Sequence, residues 1–354
     1  MSAPIAKTFS EALAQRFQRF AEVECRGVSA LYDHLAGSIA ADGELLALTT
    51  HAPPGQPVPN LLLAAVHFLL LKGQVDPLAQ FYPNLTLAAA SPDASYPAFR
   101  AFCLAHADAI RHLLATRRVQ TNEVGRCAYL MPAFTLVATL AHEHPLALIE
   151  IGTSAGLNLQ WDRYSYRYGP GGLYGDARSS VQIVCALRGP TRPPLPDRLP
   201  AIAARVGVDL HVIDVDDADE ALWLRALVWP EHLERARLLH NAMEITRLNP
   251  PTLLSGDGLT LLPEVLRTVP ADVPVCVFHT HTLNQWSLEA RDRFSRMLAE
   301  HGATRELYRL SAEGIDTPYP RLELTAWRHG QAHQRLLAYC EHHGRWLEWL
   351  DRAG

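Results

Sequence analysis

One stretch most constrains what this chain can fold into: Leu146-Ala147-Leu148-Ile149-Glu150-Ile151-Gly152-Thr153-Ser154-Ala155-Gly156-Leu157-Asn158-Leu159. An apolar run of strand length ends in an acid and a glycine turn, and an apolar segment follows at once. That order predicts a buried strand, a tight turn and a helix. The turn suits two chemistries. As G-x-S-x-G it is a hydrolase elbow with Ser154 as nucleophile. As acid-x-G-x-x-x-G it is the first loop of a nucleotide-type fold, where backbone at a helix N-terminus lies against a cofactor.

The chain changes character near this turn. From Thr8 to about Thr139 it reads almost wholly as helix. Ser10 and Glu11 open the first, and Asn60 caps an apolar one that runs through His67 to Leu71. After His144-Pro145, apolar runs of strand length alternate with helical segments, the pattern of an α/β sheet. The expected strands are Leu146–Ile151, Val181–Ala186, Leu210–Val215, Thr252–Leu254, Val273–His279 and Thr304–Leu310. Residues 164–168 and 181–186 alternate like the arms of a hairpin whose tip is Gly169–Gly175. The tail predicts an antiparallel meander closing the sheet's edge, with arms 321–328, 334–340 and 345–350 and turns at His329-Gly330 and His343-Gly344. We therefore expect a helical region over residues 1–140 and an α/β domain over 141–354.

Composition narrows the function classes. A net charge of −5 without a long Lys/Arg cluster disfavours a non-specific nucleic-acid surface. The N-terminus lacks the apolar centre of a signal peptide, and the longest apolar run, Leu61–Leu71, is too short to span a bilayer. The six cysteines form no C-x-x-C pair and suit neither a zinc site nor a disulfide framework. These features fit a cytoplasmic protein that acts neither on a membrane nor on nucleic acid.

Each reading of the turn asks for partners elsewhere. A hydrolase would need an Asp and then a His, an order that Asp257 with His279 or His281 satisfies. It would also need earlier strands and an oxyanion-hole loop, whereas everything before Leu146 reads as helix. A cofactor site would need acids at successive strand ends, and Glu150, Asp214 and Asp257 supply them in order. Acids suit a sulfonium cofactor and would repel a pyrophosphate, which points away from a nicotinamide dinucleotide and towards S-adenosylmethionine. Ser154 also replaces the middle glycine of the dinucleotide fingerprint.

The segment Leu148 to Gly156 resembles the first motif of class I S-adenosylmethionine-dependent methyltransferases. Leu254-Ser255-Gly256-Asp257-Gly258 resembles their later G-D-A motif, and Val275-Cys276-Val277-Phe278-His279-Thr280 the strand that leads to their reaction centre. The whole chain more closely resembles a bacterial family known only as domain of unknown function 2332. That likeness rests on Asn122–Arg126, Glu150–Tyr164, Arg205–Leu210 and Trp223–Pro230. The resemblance implies a Rossmann-like methyltransferase core preceded by a helical cap. It places Glu150 near the methionine amine, Asp214 near the ribose hydroxyls and Asp257 near the adenine amine. Gly152 and Gly156 would let the backbone approach the cofactor, and Ser154, which stands where the motif usually has a glycine, belongs to the same binding loop.

Other side chains complete the expected site. His279 or His281 would serve as general base at the strand's end. Their alternate spacing also fits a metal pair, but no third and fourth ligand is evident, so no metal is expected. Asn122, Arg126, Arg163 and Tyr164 would line the acceptor pocket, although an ion pair and an anchored tyrosine explain the last two equally well. Trp223 and Trp229 read as core. The acidic run Asp214–Glu220 reads as a solvated loop with a helix cap. The expected function is methyl transfer to a small-molecule or peptide acceptor. A serine hydrolase using Ser154 and a non-catalytic adenosyl-ligand-binding protein stand as alternatives.

Overall fold

A computed structural model of the chain describes residues 3–315, 317–328 and 330–352, with side chains from residue 10 onward. Two compact units divide it. One comprises residues 1–121 and 217–236, the other residues 122–216 and 237–354.

The first unit is helical. Its helices are Ala3–Arg19, continued by a π-turn segment Phe20–Cys25, then Ala30–Ile39, Gly43–Leu48, Val58–Leu71, Tyr96–Ala105, Ala107–Thr116 and the returning Ala218–Ala226. The first helix thus starts before Ser10. Val58–Leu71 opens on Pro57 without a side-chain cap, with Pro59 in its first turn, so Asn60 lies inside the helix. A proline in the first turn presets φ where no N–H is needed, and it does the work expected of Asn60. This helix is apolar all round and therefore buried. Its His67 is accommodated because Nδ1 meets the Ala226 carbonyl at 2.9 Å and Nε2 the Asn84 amide at 2.8 Å. Burial pushes the His67 pKa down to about 4, so the ring is neutral. Asp217 caps Ala218–Ala226 by accepting from the Asp219 and Glu220 amides, the cap expected of the acidic run. No helix of the described residues is long and apolar enough to cross a membrane.

The second unit is a mixed α/β structure around one open sheet of eleven strands among the described residues. In chain order they are β1 (Leu146–Ile151), β2 (Ser165–Tyr168), β3 (Leu173–Gly175), β4 (Gln182–Arg188), β5 (Ile202–Asp209), β6 (Thr252–Ser255), β7 (Val275–Thr280), β8 (Leu307–Glu313), β9 (Arg321–Arg328), β10 (Gln331–Cys340) and β11 (Trp346–Trp349). Their order across the sheet is β3-β2-β4-β11-β10-β9-β8-β7-β1-β5-β6. The block β6-β5-β1-β7-β8 is parallel throughout. After β1 the chain first builds β2, β3 and β4 at the far edge; within the parallel block it then adds β5 and β6 on one side of β1 and returns to build β7 and β8 on the other. The carboxyl ends of β1 and β7 therefore flank a switch point, where open α/β sheets bind their ligands.

Both faces of this block are covered, which explains why β1 and β7 are buried at every position. On one face Ile149, Ile151 and Val277 pack with Leu262 and Leu266 of helix Gly258–Thr268 and with Phe294 and Leu298 of helix Leu288–Gly302. On the other, Phe134 of helix Cys127–Leu140 stacks on Trp161 at 4.8 Å and meets Phe278 edge-on at 5.1 Å.

Four expectations are corrected. Leu210–Val215 is not a strand; the strand ends at Asp209, one residue before it. Gly207 sits in that strand because a Cβ there would lie 2.5 Å from Thr153 Oγ1. Residues 164–168 and 181–186 are not hairpin arms: β2 pairs antiparallel with β3 and parallel with β4. The segment after the glycine turn is a 3-10 helix, Leu157–Arg163, not an α-helix. The terminal meander β9-β10-β11 does not close an edge, because β11 continues into β4 and the edges are β3 and β6. Of its two turns, His329 lies outside the described residues.

The turn between β10 and β11 is locked by glycine. A Cβ on Gly344, at φ 79°, would lie 1.9 Å from the Gly125 carbonyl oxygen, and one on Gly125 would lie 2.2 Å from the His343 carbonyl oxygen. Gly169 has a similar φ of 58° with open space around it. Left-handed backbone costs an L-residue about 1–2 kcal/mol, which both positions share. Gly344→Ala should therefore lower stability by at least about 2 kcal/mol more than Gly169→Ala, the added cost of the clash. Thermal unfolding of the two variants checks this, and equal losses would refute the close packing.

Candidate functional site

The carboxyl ends of the parallel strands gather most of the expected residues. Gly152, Ser154 and Gly156 all have positive φ, at 78°, 54° and 71°. For Ser154, which has a Cβ, this backbone region is uncommon and marks a constrained turn. Its Oγ is buried and has no hydrogen-bond partner.

Glu150 organises this turn from beneath. It is 1% exposed, and its carboxyl accepts from Thr153 Oγ1 at 2.8 Å and from Asn158 Nδ2 at 3.2 Å. Both donors are neutral, so burial dominates and pushes its pKa up to about 8. Asn122 braces the same turn, its Oδ1 accepting from the Leu157 amide at 3.1 Å.

Asp209 is the acid at the end of β5, one strand over. Its Oδ2 accepts from the Ser154 amide at 2.9 Å and its Oδ1 from the His211 amide at 3.0 Å. It occupies the position expected of Asp214, which instead lies in the following loop and accepts from the Asp216 amide. Gly256 N donates to the Asp209 carbonyl at 2.8 Å, which brings Asp257 alongside. Asp257 is exposed and caps helix Gly258–Thr268 by accepting from the Leu259 amide at 3.0 Å. The acids at β5 and β6 are thus neighbours on one edge.

On the other side of β1, the end of β7 is arranged by Glu313 of β8. Glu313 Oε1 accepts from His279 Nδ1 at 2.7 Å, from the Thr282 amide at 3.0 Å and from the Leu283 amide at 3.2 Å. His279 Nε2 in turn accepts from Arg309 Nε at 3.1 Å. Both ring nitrogens of the buried His279 are therefore engaged. Burial lowers the His279 pKa, while His279 and the backbone donors hold Glu313 below the usual carboxylate range despite its own burial. Neither Asp257 nor any other acid pairs with His279 besides Glu313, and no base reaches Ser154 Oγ among the described residues.

His281 has φ 54° and a buried, unpartnered Nε2, with its ring 5.2 Å from that of His342. Burial, and then the charge of Arg126, push its pKa down to about 3, so it is neutral at physiological pH. Thr282 fills the space over Gly152: a Cβ on that glycine would lie 2.2 Å from Thr282 Oγ1. Arg126 reaches the same corner, bonding Thr280 Oγ1 at 3.2 Å.

Arg163 lies at the other end of the strands, and Tyr164 is tied to the segment after the turn. Tyr164 is buried, donating to the Leu157 carbonyl at 2.6 Å. Arg163 lines a shallow cleft with Arg205, Asn249 and Pro251 where β5 and β6 begin, at the opposite edge of the sheet. Asp162 is ion-paired with Arg205, so this segment serves packing. No group of three or more described His, Cys, Asp or Glu residues could hold a metal ion.

A family model described as "Uncharacterized protein conserved in bacteria (DUF2332)" matches residues 14–349. The chain belongs to this bacterial family. No curated protein and no solved structure matches it.

Two members of the site carried little or no sequence signal. Asp209 was masked because Val212-Ile213-Asp214-Val215 is more strand-like than Ala204-Arg205-Val206-Gly207. Its signal was the glycine at 207, which marks close backbone approach inside a strand. Glu313 carried no sequence signal.

A pH test follows from Glu150. A folded-state pKa of about 8 lies above the ordinary 4.5, so its contribution to stability is complete below 4.5 and is lost as pH rises through 8. Glu150→Gln removes this term while leaving His279 and Glu313, whose depressed pKa values act at acid pH in both proteins. The melting temperature of the variant relative to wild type should therefore climb between pH 5 and 9 and stay flat below 4.5. Parallel curves would show that Glu150 is not buried as a neutral acid.

Proposed function

We propose that the chain binds S-adenosylmethionine across the carboxyl ends of β1, β5 and β6 and transfers its methyl group to a small-molecule or peptide acceptor. The observation that carries this reading is the pairing of Asp209 and Asp257 at adjacent strand ends, beside the glycine turn after β1. The order β6-β5-β1-β7-β8 supports it, being 3-2-1-4-5 when the block is numbered along the chain, as in Rossmann-like folds.

The residues present fit the adenosine end of the cofactor. Asp209 accepts one hydrogen bond at each oxygen and keeps lone pairs for ribose hydroxyls. Asp257 is exposed for the adenine amine. The turn fits less openly: Thr282 lies over Gly152, and Glu150 faces its own loop. Glu150 thus acts as a positioning residue that shapes the turn through Thr153 and Asn158. The bound cofactor would supply an electrophilic methyl group. The protein's part is to hold the acceptor in line and exclude water, with the end of β7 supplying polar groups. His279 is spent on Glu313 and Arg309. His281 keeps Nε2 unpartnered, but a pKa pushed down to about 3 makes it too weak a base to take the acceptor's proton, so its part is to donate a hydrogen bond.

Calorimetric titration with S-adenosylhomocysteine tests the reading. Wild type should bind. Asp209→Ala should weaken binding at least about tenfold, the worth of hydrogen bonds to a charged group. Asp209→Asn, which keeps an acceptor for the Ser154 amide, separates loss of the ribose contact from collapse of the turn and should lie between the two. No binding to wild type at millimolar ligand would overturn the proposal.

A further inference from the structure

Arg126 is held at the switch point by neutral oxygens alone. Its Nε donates to the His342 carbonyl at 3.2 Å, and its Nη1 to Thr280 Oγ1 at 3.2 Å and to the Thr280 carbonyl at 3.5 Å. It forms no ion pair with any described residue, and its second terminal nitrogen makes no hydrogen bond among them. The surrounding acids are already engaged. Glu313 holds His279 and two backbone amides, Glu341 holds His343 and Arg345, and Glu150 holds Thr153 and Asn158. A half-buried guanidinium without a counter-charge is costly unless an anion completes it.

Two polar groups with buried, unpartnered atoms lie near this arginine. The Tyr129 hydroxyl is fully buried and bonds to nothing, and so does His281 Nε2. His281 is tied to the cluster through its ring contact with His342, whose carbonyl holds Arg126. Both feel the Arg126 charge, which opposes the upward push of burial on Tyr129 and adds to the downward push on His281. Glu313 Oε2 is also unpartnered, but as an acceptor it is not one of the donors to an anion. The helix that carries Tyr129, Cys127–Leu140, opens at Arg126 with no side-chain cap and no acid in its first turn, so its positive end adds to the arginine. The position of Arg126 is fixed by the Gly125–Gly344 backbone contact.

We propose that Arg126, the Tyr129 hydroxyl and an Nε2-protonated His281 form a carboxylate-binding site. Three donors of different geometry around one uncompensated charge suit a planar carboxylate, which the guanidinium meets edge-on. The binding claim stands without the methyl-transfer reading. Where that reading holds, the carboxylate belongs either to the acceptor or to the amino-acid end of the cofactor.

The test uses sodium acetate as probe, titrated to tens of millimolar at constant ionic strength against sodium chloride, on the full chain. Acetate should raise the melting temperature of wild type above the chloride control. Arg126→Gln should weaken acetate binding at least about tenfold. Tyr129→Phe is the sharper variant, because it removes a hydroxyl that bonds to nothing in the free protein. It should be at least as stable as wild type without acetate and bind acetate about two- to tenfold more weakly. A Tyr129→Phe protein that is less stable yet binds acetate normally would mean the hydroxyl serves a water network, and would overturn the assignment. So would no acetate effect on wild type, or inorganic phosphate binding more tightly than acetate.

Two further arms identify the source of the carboxylate. Acetate binding that survives saturation with S-adenosylhomocysteine assigns the site to the acceptor. Acetate binding blocked by S-adenosylhomocysteine, but not by 5′-methylthioadenosine, which lacks the carboxylate, assigns it to the cofactor's own end. Acetate binding in a protein that ignores both adenosyl compounds supports the carboxylate site and removes the methyl-transfer reading.

Discussion

One carboxylate oxygen holds the carboxyl edge of this sheet together. Glu313 Oε1, at the end of β8, gathers the His279 ring and the amides of Thr282 and Leu283, so it fastens the end of β7 and the loop that leaves it. Everything at the switch point depends on that loop. It sets His281 in a left-handed conformation, and it lays Thr282 over Gly152, where no side chain but glycine's hydrogen would fit beneath it. A buried charge is tolerable here because it is satisfied three times over by donors, one of them further oriented by Arg309. Remove the carboxylate, and two backbone amides and a histidine would be left buried without partners.

Around that anchor the edge sorts its charges by environment. Glu150 meets only neutral donors in a dry interior and is pushed towards its neutral form. Glu313, only two strands away, meets an imidazole and backbone amides and is held ionised. Asp209 and Asp257 sit nearer solvent and use their charge on backbone amides. Arg126 is the opposite case, a cation provided with oxygens and no acid. The carboxyl edge thus presents one hidden neutral acid, one buried ionised acid, two more accessible acids and one cation without an ion pair, a distribution that packing alone does not require.

How much of this was legible depended on whether a local pattern had a single spatial solution. β1 and β7 were readable because strands covered on both faces become continuous apolar runs, and each was found within two residues. The turn after β1 was readable because glycine spacing there reports backbone shape directly. The acid at the end of the second parallel strand was misplaced because β5 contains Arg205 and Gly207, which look unlike a strand. Arg205 is there to pair with Asp162, and Gly207 to admit Thr153, neither of which is close in sequence. The hairpin reading of 164–186 failed for a related reason: alternation reports which face is buried, not which strand is the neighbour.

The sequence by itself determined the α/β character of the second unit, the helical character of the first, and the strand–turn geometry at Glu150–Gly156. These follow from periodicity and backbone sterics, which act over a few residues. Only the tertiary structure decided that β11 would continue into β4 instead of closing the sheet, and that Arg163 would stand at the other end of the strands from Arg126. It alone decided that His279 would be consumed by Glu313. Those outcomes depend on which distant groups satisfy a buried charge or an open strand edge, and that choice is made between residues far apart in the chain.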